Sequence, residues 1–288
     1  MGNKKKAVIQ TILYTNLFGS SLNFDELFYF LQTDEPISKD HLKVILEELK
    51  DVVIIENGLY TLKHYDGAIH RRQQSEKSTS TKLHEARQIS FWLSFIPSVL
   101  FIGVSGSVAV NNAKEDDDID LFIISAQNSL YMTRFILLFI LQLFGKRRKR
   151  NEHNPCNKFC LNMFIEEKAL AFPKNAHELY TAREIVQLYP LFERDNFYQK
   201  FLQANSWTTK IMPNAKGRVS VVRKSKRRQD FFFLVEPFVR QIEQRVMARH
   251  KTTEIVEDTF LALHPNDVKK YVLQRFEKEH LRLKKYYE

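Results

Sequence analysis

The sequence predicts an α+β protein in three parts: a small helical module closed by a hairpin, a central mixed sheet with helices, and a helical C-terminal region. Three observations predict it. Glycine and proline number 8 each in 288 residues, few for a loop-rich or all-β chain. Three helical patterns and then two β-prone runs fill residues 4–66. Apolar strands separated by a helix fill the centre, and mostly helical patterns follow from residue 176. Apolar residues at 44% and charged residues at 27% exclude a disordered or fibrous chain.

The elements follow in order. Residues 5–17 place Val8, Ile12, Leu13 and Leu17 on one helical face. Asn23 reads as the N-cap of a second helix, FDELFYFLQ, with Glu26 completing a capping box. Ser38 reads as the N-cap of a third, KDHLKVILEELK. The runs VVII and LYTL flank Glu56-Asn57-Gly58, and Asn-Gly between such runs signals a hairpin. Three short helices and a hairpin form the order of a winged helix-turn-helix, with a domain over residues 1–70. Its third helix, Lys39–Lys50, mixes Lys39, Lys43 and Lys50 with Asp40, Glu47 and Glu48, which argues against sequence-specific DNA reading.

Residues 70–82 are polar and Ser/Thr-rich, a linker or exposed helix start. Residues 83–95 read as an amphipathic helix, VLFIGV as a strand, and IDLFIIS as a strand buried on both faces. An apolar helix over 128–144 ends at Gly145, a natural C-cap. Residues 158–167 read as a third strand, so a core domain spans 83–175. Over 176–288 the pattern gives helices at His177–Leu188, Phe197–Ala204, Phe231–Met247 and Asn266–Tyr286. The Phe231–Phe233 triplet is expected in the core.

The chain carries 44 basic and 34 acidic residues, a net +10, which favours polyanionic partners. Cys156 and Cys160 are its only cysteines, so no disulfide framework exists and a reducing compartment fits. No secretory signal is visible, and the most apolar run, Phe135–Leu143, is far shorter than the ~20 residues a bilayer requires. A cytoplasmic location with no membrane contact is expected.

The informative stretch is Phe101–Ser125, FIGVSGSVAVNNAKEDDDIDLFIIS. A strand runs into Gly106-Ser107, which opens a short helix; a second strand then carries Asp118-Ile119-Asp120. Residues i and i+2 of a strand share a side, so Asp118 and Asp120 project together. Two such carboxylates repel unless a cation lies between them. Hard oxygens on one face suit Mg²⁺ or Mn²⁺, completed by water and substrate phosphates. Gly106 permits close backbone approach and Ser107 adds a hydroxyl, both at a helix start that favours an anion. Metal at one end and phosphate at the other is a layout for in-line phosphoryl or nucleotidyl transfer.

This stretch resembles the nucleotidyltransferase superfamily of DNA polymerase β, whose signature is an apolar strand, Gly-Ser or Gly-Gly, a short gap and Asp-x-Asp. The compatible fold covers residues 83–170. The whole-chain order is also similar to bacterial proteins with a winged-helix-like N-terminus before a nucleotidyltransferase domain. The resemblance implies a polymerase β-like mixed sheet, with Asp118 and Asp120 on the metal and Gly106 and Ser107 on the phosphates of a nucleoside triphosphate. It also implies a third carboxylate on a later strand, which commonly accepts the proton of the attacking hydroxyl. Alternation along Phe159–Glu167 puts Cys160, Asn162, Phe164 and Glu166 on the inner face, with Asn162 nearest that place. Asparagine offers a carbonyl but no general base, so Glu166 reaching in from the strand's end is the alternative.

Competing readings stand beside this one. Asp116–Asp120 could be an acidic turn, with Asp116 and Asp117 solvated. His153, Cys156 and Cys160 match structural zinc spacing poorly. Arg134 either pairs with an acidic residue or faces the phosphate site. The clusters Lys146–Arg150 and Arg223–Arg228 are either solvated charge or a nucleic-acid footprint. The sequence therefore points to a metal-dependent nucleotidyltransferase acting on an acceptor hydroxyl. The alternative is a catalytically weakened, antitoxin-like regulator that binds nucleotide or nucleic acid.

Overall fold

The computed structural model describes residues 2–149, 152, 155–218, 223–227, 231–249, 254–263 and 268–286. Arg150, His153 and Arg228, which the sequence reading weighed, lie outside the described residues. The fold is mixed α+β, built on a mixed seven-stranded sheet and a separate three-stranded one.

The N-terminal module contains α1 (Gly2–Asn16), β1 (Leu22–Asn23), α2 (Phe24–Tyr29), α3 (Lys39–Glu47), β2 (Val53–Glu56) and β3 (Leu59–Leu62). Local chemistry dictates these boundaries. The Asn23 side chain accepts from the Glu26 N–H at 2.8 Å, and the Glu26 carboxylate accepts from the Asn23 N–H at 3.0 Å, the expected capping box. Ser38 caps α3 by accepting from the His41 N–H. Asn57 and Gly58 take φ of 52° and 74°, the left-handed pair that a two-residue hairpin needs. β1 adds to the hairpin in the order β1-β3-β2.

A single helix, α4 (Gly67–Leu93), crosses the stretch expected as a linker. Its inward positions Ala68, Arg72, Ser75, Thr79, Lys82, Ala86, Ile89 and Leu93 recur at helical spacing. The middle of that stripe is polar, so hydrophobic periodicity alone cannot see it.

Next come β4 (Val99–Val104), α5 (Gly106–Ala109), β5 (Ile119–Ser125), α6 (Leu130–Leu143) and β6 (Phe159–Glu166). Then α7 (Leu179–Gln187), β7 (Tyr189–Arg194), α8 (Phe197–Ala204), β8 (Arg223–Ser225), α9 (Glu236–Ala248), β9 (Ile255–Val256), β10 (Phe260–Ala262) and α10 (Val268–Leu283) follow. The large sheet has the order β8-β7-β4-β5-β6-β10-β9. β5 and β6 are parallel at its centre, while β4 is antiparallel to both β5 and β7. Ile102, Leu121 and Ile123 face α4 and α6 on one side. Phe101, Phe122 and Ile165 face α7 and α8 on the other.

The C-terminal region is not a separate helical unit. It supplies β7, β8, β9 and β10 to the sheet. Ala182 and Val186 of α7, with Phe276 and Leu283 of α10, complete the core of the N-terminal module. Sequence pattern misses β7 because Leu188 alone separates it from α7, with no turn residue to mark the change. The Phe231–Phe233 expectation fails too: Phe231 and Phe233 are exposed, and only Phe232 packs on the core. No helix among the described residues is long and apolar enough to cross a membrane. Gly145 (φ 65°) ends α6 as expected, with the Lys146 N–H reaching the Leu141 carbonyl.

One buried cation ties the sheet together. Arg194 of β7 donates to the carbonyls of Ser94, Ile96, Val99 and Lys226, and to the Ser225 hydroxyl. Arg194→Met leaves those buried carbonyls without donors. It should destabilise the protein by about 3 kcal/mol, read as a lower urea midpoint by tryptophan fluorescence.

Candidate functional site

The site forms where β4 and β5 end. The Ser105 N–H donates to the Asp120 carbonyl at 2.9 Å, extending the antiparallel ladder by one step. The chain then turns through Gly106 at φ 64° into α5. A Cβ on Gly106 would lie 2.6 Å from the Asp120 carboxylate, so both backbone angle and space demand glycine. On the next strand, Asp120 stands opposite Cys160 in the parallel register. Ligating atoms of Asp118, Asp120 and Cys160 lie within 4.8 Å of one another, and all three residues are partly exposed. Arg148 donates to Asp118 at 2.5 Å.

The loop carrying the acids is clamped by the polar stripe of α4. Lys82 is buried and donates its ammonium to the carbonyls of Asp117 (2.6 Å) and Glu115 (3.0 Å) and to the Asn157 side chain (2.9 Å). The Thr79 hydroxyl accepts from the Ala113 N–H, and Arg72 donates to the Val110 carbonyl. Asp117, expected to be solvated, instead accepts from the Ser107 hydroxyl and the Lys114 N–H, each at 3.0 Å.

Crowding of carboxylates has an electrostatic consequence. Burial, and then the charge of Asp118, push the Asp120 carboxyl up to about 7, against the pull of Arg148. Burial and the same two acids push the Cys160 thiol well above its ordinary value, so it stays a neutral thiol. Two hard carboxylates fit Mg²⁺ or Mn²⁺; a neutral thiol adds little to such a site.

The sequence-predicted residues divide into two groups. Gly106, Asp118 and Asp120 come together, with Ser107 beside them but turned to Asp117. Asn162 sits in a bulge: Leu121 pairs with Leu161 and Phe122 with Met163, which leaves Asn162 as the extra residue. It is buried against the cavity beyond Asp120 and is not the partner of that acid in register. Glu166 is a correction. It pairs with Ser125, five residues beyond Asp120 and so ~16 Å along the strand. There it accepts from the Asn128 N–H at 2.8 Å and pairs with Lys168, holding the turn into α6.

Sequence reasoning missed three contributors, and put a fourth, Cys160, on the inner face without a role beside Asp120. Arg148 belongs to the basic run after α6, which turns back so that Arg147 pairs beside Phe159. Cys160 is fixed by register alone. Lys82 lies in the stretch taken for a linker. Glu184 of α7 lines the cavity on the same side of the sheet, and burial pushes its carboxyl up to about 7. Its charge also raises Asp120.

Among the described residues, five cations of the basic clusters are engaged within the chain. Lys146 pairs with Glu85, Arg148 with Asp118, Lys224 with Glu193 and Arg227 with Glu167. Arg223 stacks over Phe91 and Phe95. Arg134 pairs with Glu243 of α9, choosing the acidic partner among its two expected roles. The Cys156 thiol donates to the Glu115 carbonyl at 2.9 Å. No family model, curated protein or solved structure matches the chain.

Two outcomes follow from this geometry. Gly106→Ala should cost about 1–3 kcal/mol, because the left-handed angle and the Asp120 contact both oppose a methyl group; denaturant unfolding measures it. A carboxyl raised on folding favours the protonated native state, so its contribution to stability falls as pH rises from about 4 to about 7. In the presence of a chelator, Asp120→Asn should therefore match the parent near pH 4. Near pH 8 it should exceed the parent by on the order of 2–4 kcal/mol, a figure that already includes the pull of Arg148. Unfolding curves at the two pH values measure the difference.

Proposed function

We propose that the chain is a divalent-cation-dependent nucleotidyltransferase with its centre at Asp118 and Asp120. The observation that carries this reading is the acid pair at one strand end, with Asp120 against Gly106 and its carboxyl raised by burial and then by the charge of Asp118. Such a pair gains most from a cation between its members. The strand, Gly-Ser turn, short helix and Asp-x-Asp strand supports a polymerase β-like core. Helices α1–α3 with the β1-β3-β2 sheet support a winged-helix module. Two free cysteines support a reducing, cytoplasmic setting.

In this reading Asp118 and Asp120 hold Mg²⁺ or Mn²⁺, which when bound neutralises charge on the triphosphate. Gly106 leaves room for the Asp120 carboxylate above its Cα, and the clamp from α4 keeps the acids in place without rearrangement. The acceptor oxygen bonds to the α-phosphorus as its proton passes to water, the bond from that phosphorus to the leaving pyrophosphate breaks, and pyrophosphate departs. Positioning and charge supply most of the effect in such transfers.

A second reading has its own observation. Cys160 and Asn162, not a carboxylate, occupy the strand beside Asp120, so no general base stands there. A nucleotide-binding regulator with weakened catalysis accounts for that. Engagement of the basic clusters by partners in the same chain makes nucleic acid the less favoured polyanion.

The test combines binding and turnover. Purified protein with Mn²⁺ and labelled triphosphates should bind both, and Asp118→Ala and Asp120→Ala should each lose Mn²⁺ affinity at least tenfold while staying folded. Because Asp120 must be deprotonated to take the cation, Mn²⁺ should bind about tenfold more weakly at pH 6 than at pH 8. Label transferred to an acceptor establishes the enzyme. Binding with no transfer to any acceptor leaves the regulator, and Mn²⁺ affinity indifferent to both substitutions removes the site.

A further inference from the structure

A cavity of about 350 Å³ opens between the sheet and α7–α8. That volume lies at the lower end of the range for small-molecule sites. Its walls are apolar and aromatic, with Phe122, Phe172, Phe201 and Phe260 among them. Its polar groups include Ser105, Asn162 and Glu184. Ser105 is the residue just before Gly106, and Phe122 is two residues beyond Asp120 on the same side of β5. The cavity therefore begins one step of the strand, ~7 Å, from the acid pair.

Ser105 is the telling residue. It is 4% exposed, and its hydroxyl has no hydrogen-bond partner among the described residues. A buried hydroxyl without a partner is costly, and native proteins keep few of them. One that lines a cavity is satisfied by whatever enters the cavity.

We propose that this cavity binds the acceptor, a small neutral compound with an aromatic or alicyclic body and one hydroxyl, the hydroxyl meeting Ser105 and the body lying among the phenylalanines. The word acceptor rests on the transfer reading; binding of this ligand class does not. A carboxylate in place of the hydroxyl would face Glu184, which opposes an anion there. Lys269 at the cavity is already paired with Glu178 at 3.0 Å, so it offers an anion no free cation. An ammonium would have to leave water for an apolar wall. A neutral hydroxyl meets neither objection.

The experiment uses the full chain and the neutral fluorescent probe N-phenyl-1-naphthylamine, displaced in turn by 4-propylphenol, propylbenzene and 4-propylbenzoate. The probe should brighten on binding. The phenol should displace it at about five- to tenfold lower concentration than propylbenzene, the advantage of one added hydrogen bond, and the benzoate should be weakest. Ser105→Ala should erase the phenol's advantage and leave propylbenzene unchanged. Ala176 lines the cavity from the short 3-10 turn Lys174–Ala176, outside the α-helices and strands, so Ala176→Trp should fold normally and lose the probe. Asp118→Ala should keep probe and phenol binding intact. Loss of transfer with this pocket intact is thus failure of the transfer reading, not of the ligand assignment. A parent that never brightens the probe, a phenol no better than propylbenzene, or probe affinity within twofold of the parent in Ala176→Trp overturns the proposal.

Discussion

The buried ammonium of Lys82 is the interaction on which the site depends. Three acids in a row, Asp116 to Asp118, would splay apart in water, because their charges repel. Lys82 takes hold of the backbone beneath them instead of the carboxylates: its three donors meet two carbonyls and the Asn157 side chain. The carboxylates are left with their own tasks, Asp117 on Ser107 and Asp118 on Arg148. Of the two site acids, Asp118 is met directly by a cation of the chain, Arg148, while Lys82 holds the loop through its backbone.

That arrangement explains why α4 is one long helix with a polar waist. Its ends bury apolar residues, Ala68 and Ile69 at the start and Ile89 and Leu93 at the finish, the last two in the core that the sheet shares with α6. Between them Arg72, Ser75, Thr79 and Lys82 lie under the 110–118 loop. A loop cannot cover an apolar stripe without leaving its own N–H and C=O groups unmet, and the polar stripe supplies their partners. The helix is thus both strut and clamp, joining the N-terminal module to the acid-bearing strand.

The same polar waist decides what could be read from sequence. Asn23, Glu26, Ser38, Asn57, Gly58 and Gly145 act through neighbours within a few residues, so their caps and turns were legible from the chain alone. Gly106, Asp118 and Asp120 were legible because strand alternation puts the acids on one side. Lys82 was not, since a helix whose inner face is hydrogen-bonded looks like a linker to any hydrophobic pattern. Arg148 was not, because it arrives through pairing with a distant strand; alternation put Cys160 on the inner face, but only register sets it opposite Asp120. The place of Asn162 depended on alternation along β6, and one bulge residue changes the phase of everything after it. That shift carries Met163 to the cavity side and turns Phe164 to the opposite core.

The bulge also bears on where acid and base chemistry could reside. With Cys160 opposite Asp120 and Asn162 beyond it, strand β6 presents sulfur and amide to the centre, and its one acid, Glu166, serves a turn at the far end. The carboxylate that does face this side of the sheet comes from a helix. Glu184 is held by Gln187 at 2.6 Å and lines the cavity that begins next to Ser105. Like Asp120 it is raised to about 7, each by burial first. Two carboxyls poised near neutrality on either side of Ser105 divide the site by chemistry. A cation would pull the Asp120 proton off by direct charge, whereas Glu184, outside the acid cluster, would respond to what enters the cavity. The fold thus separates the charge-binding half from the apolar half by a single serine and one step of β5.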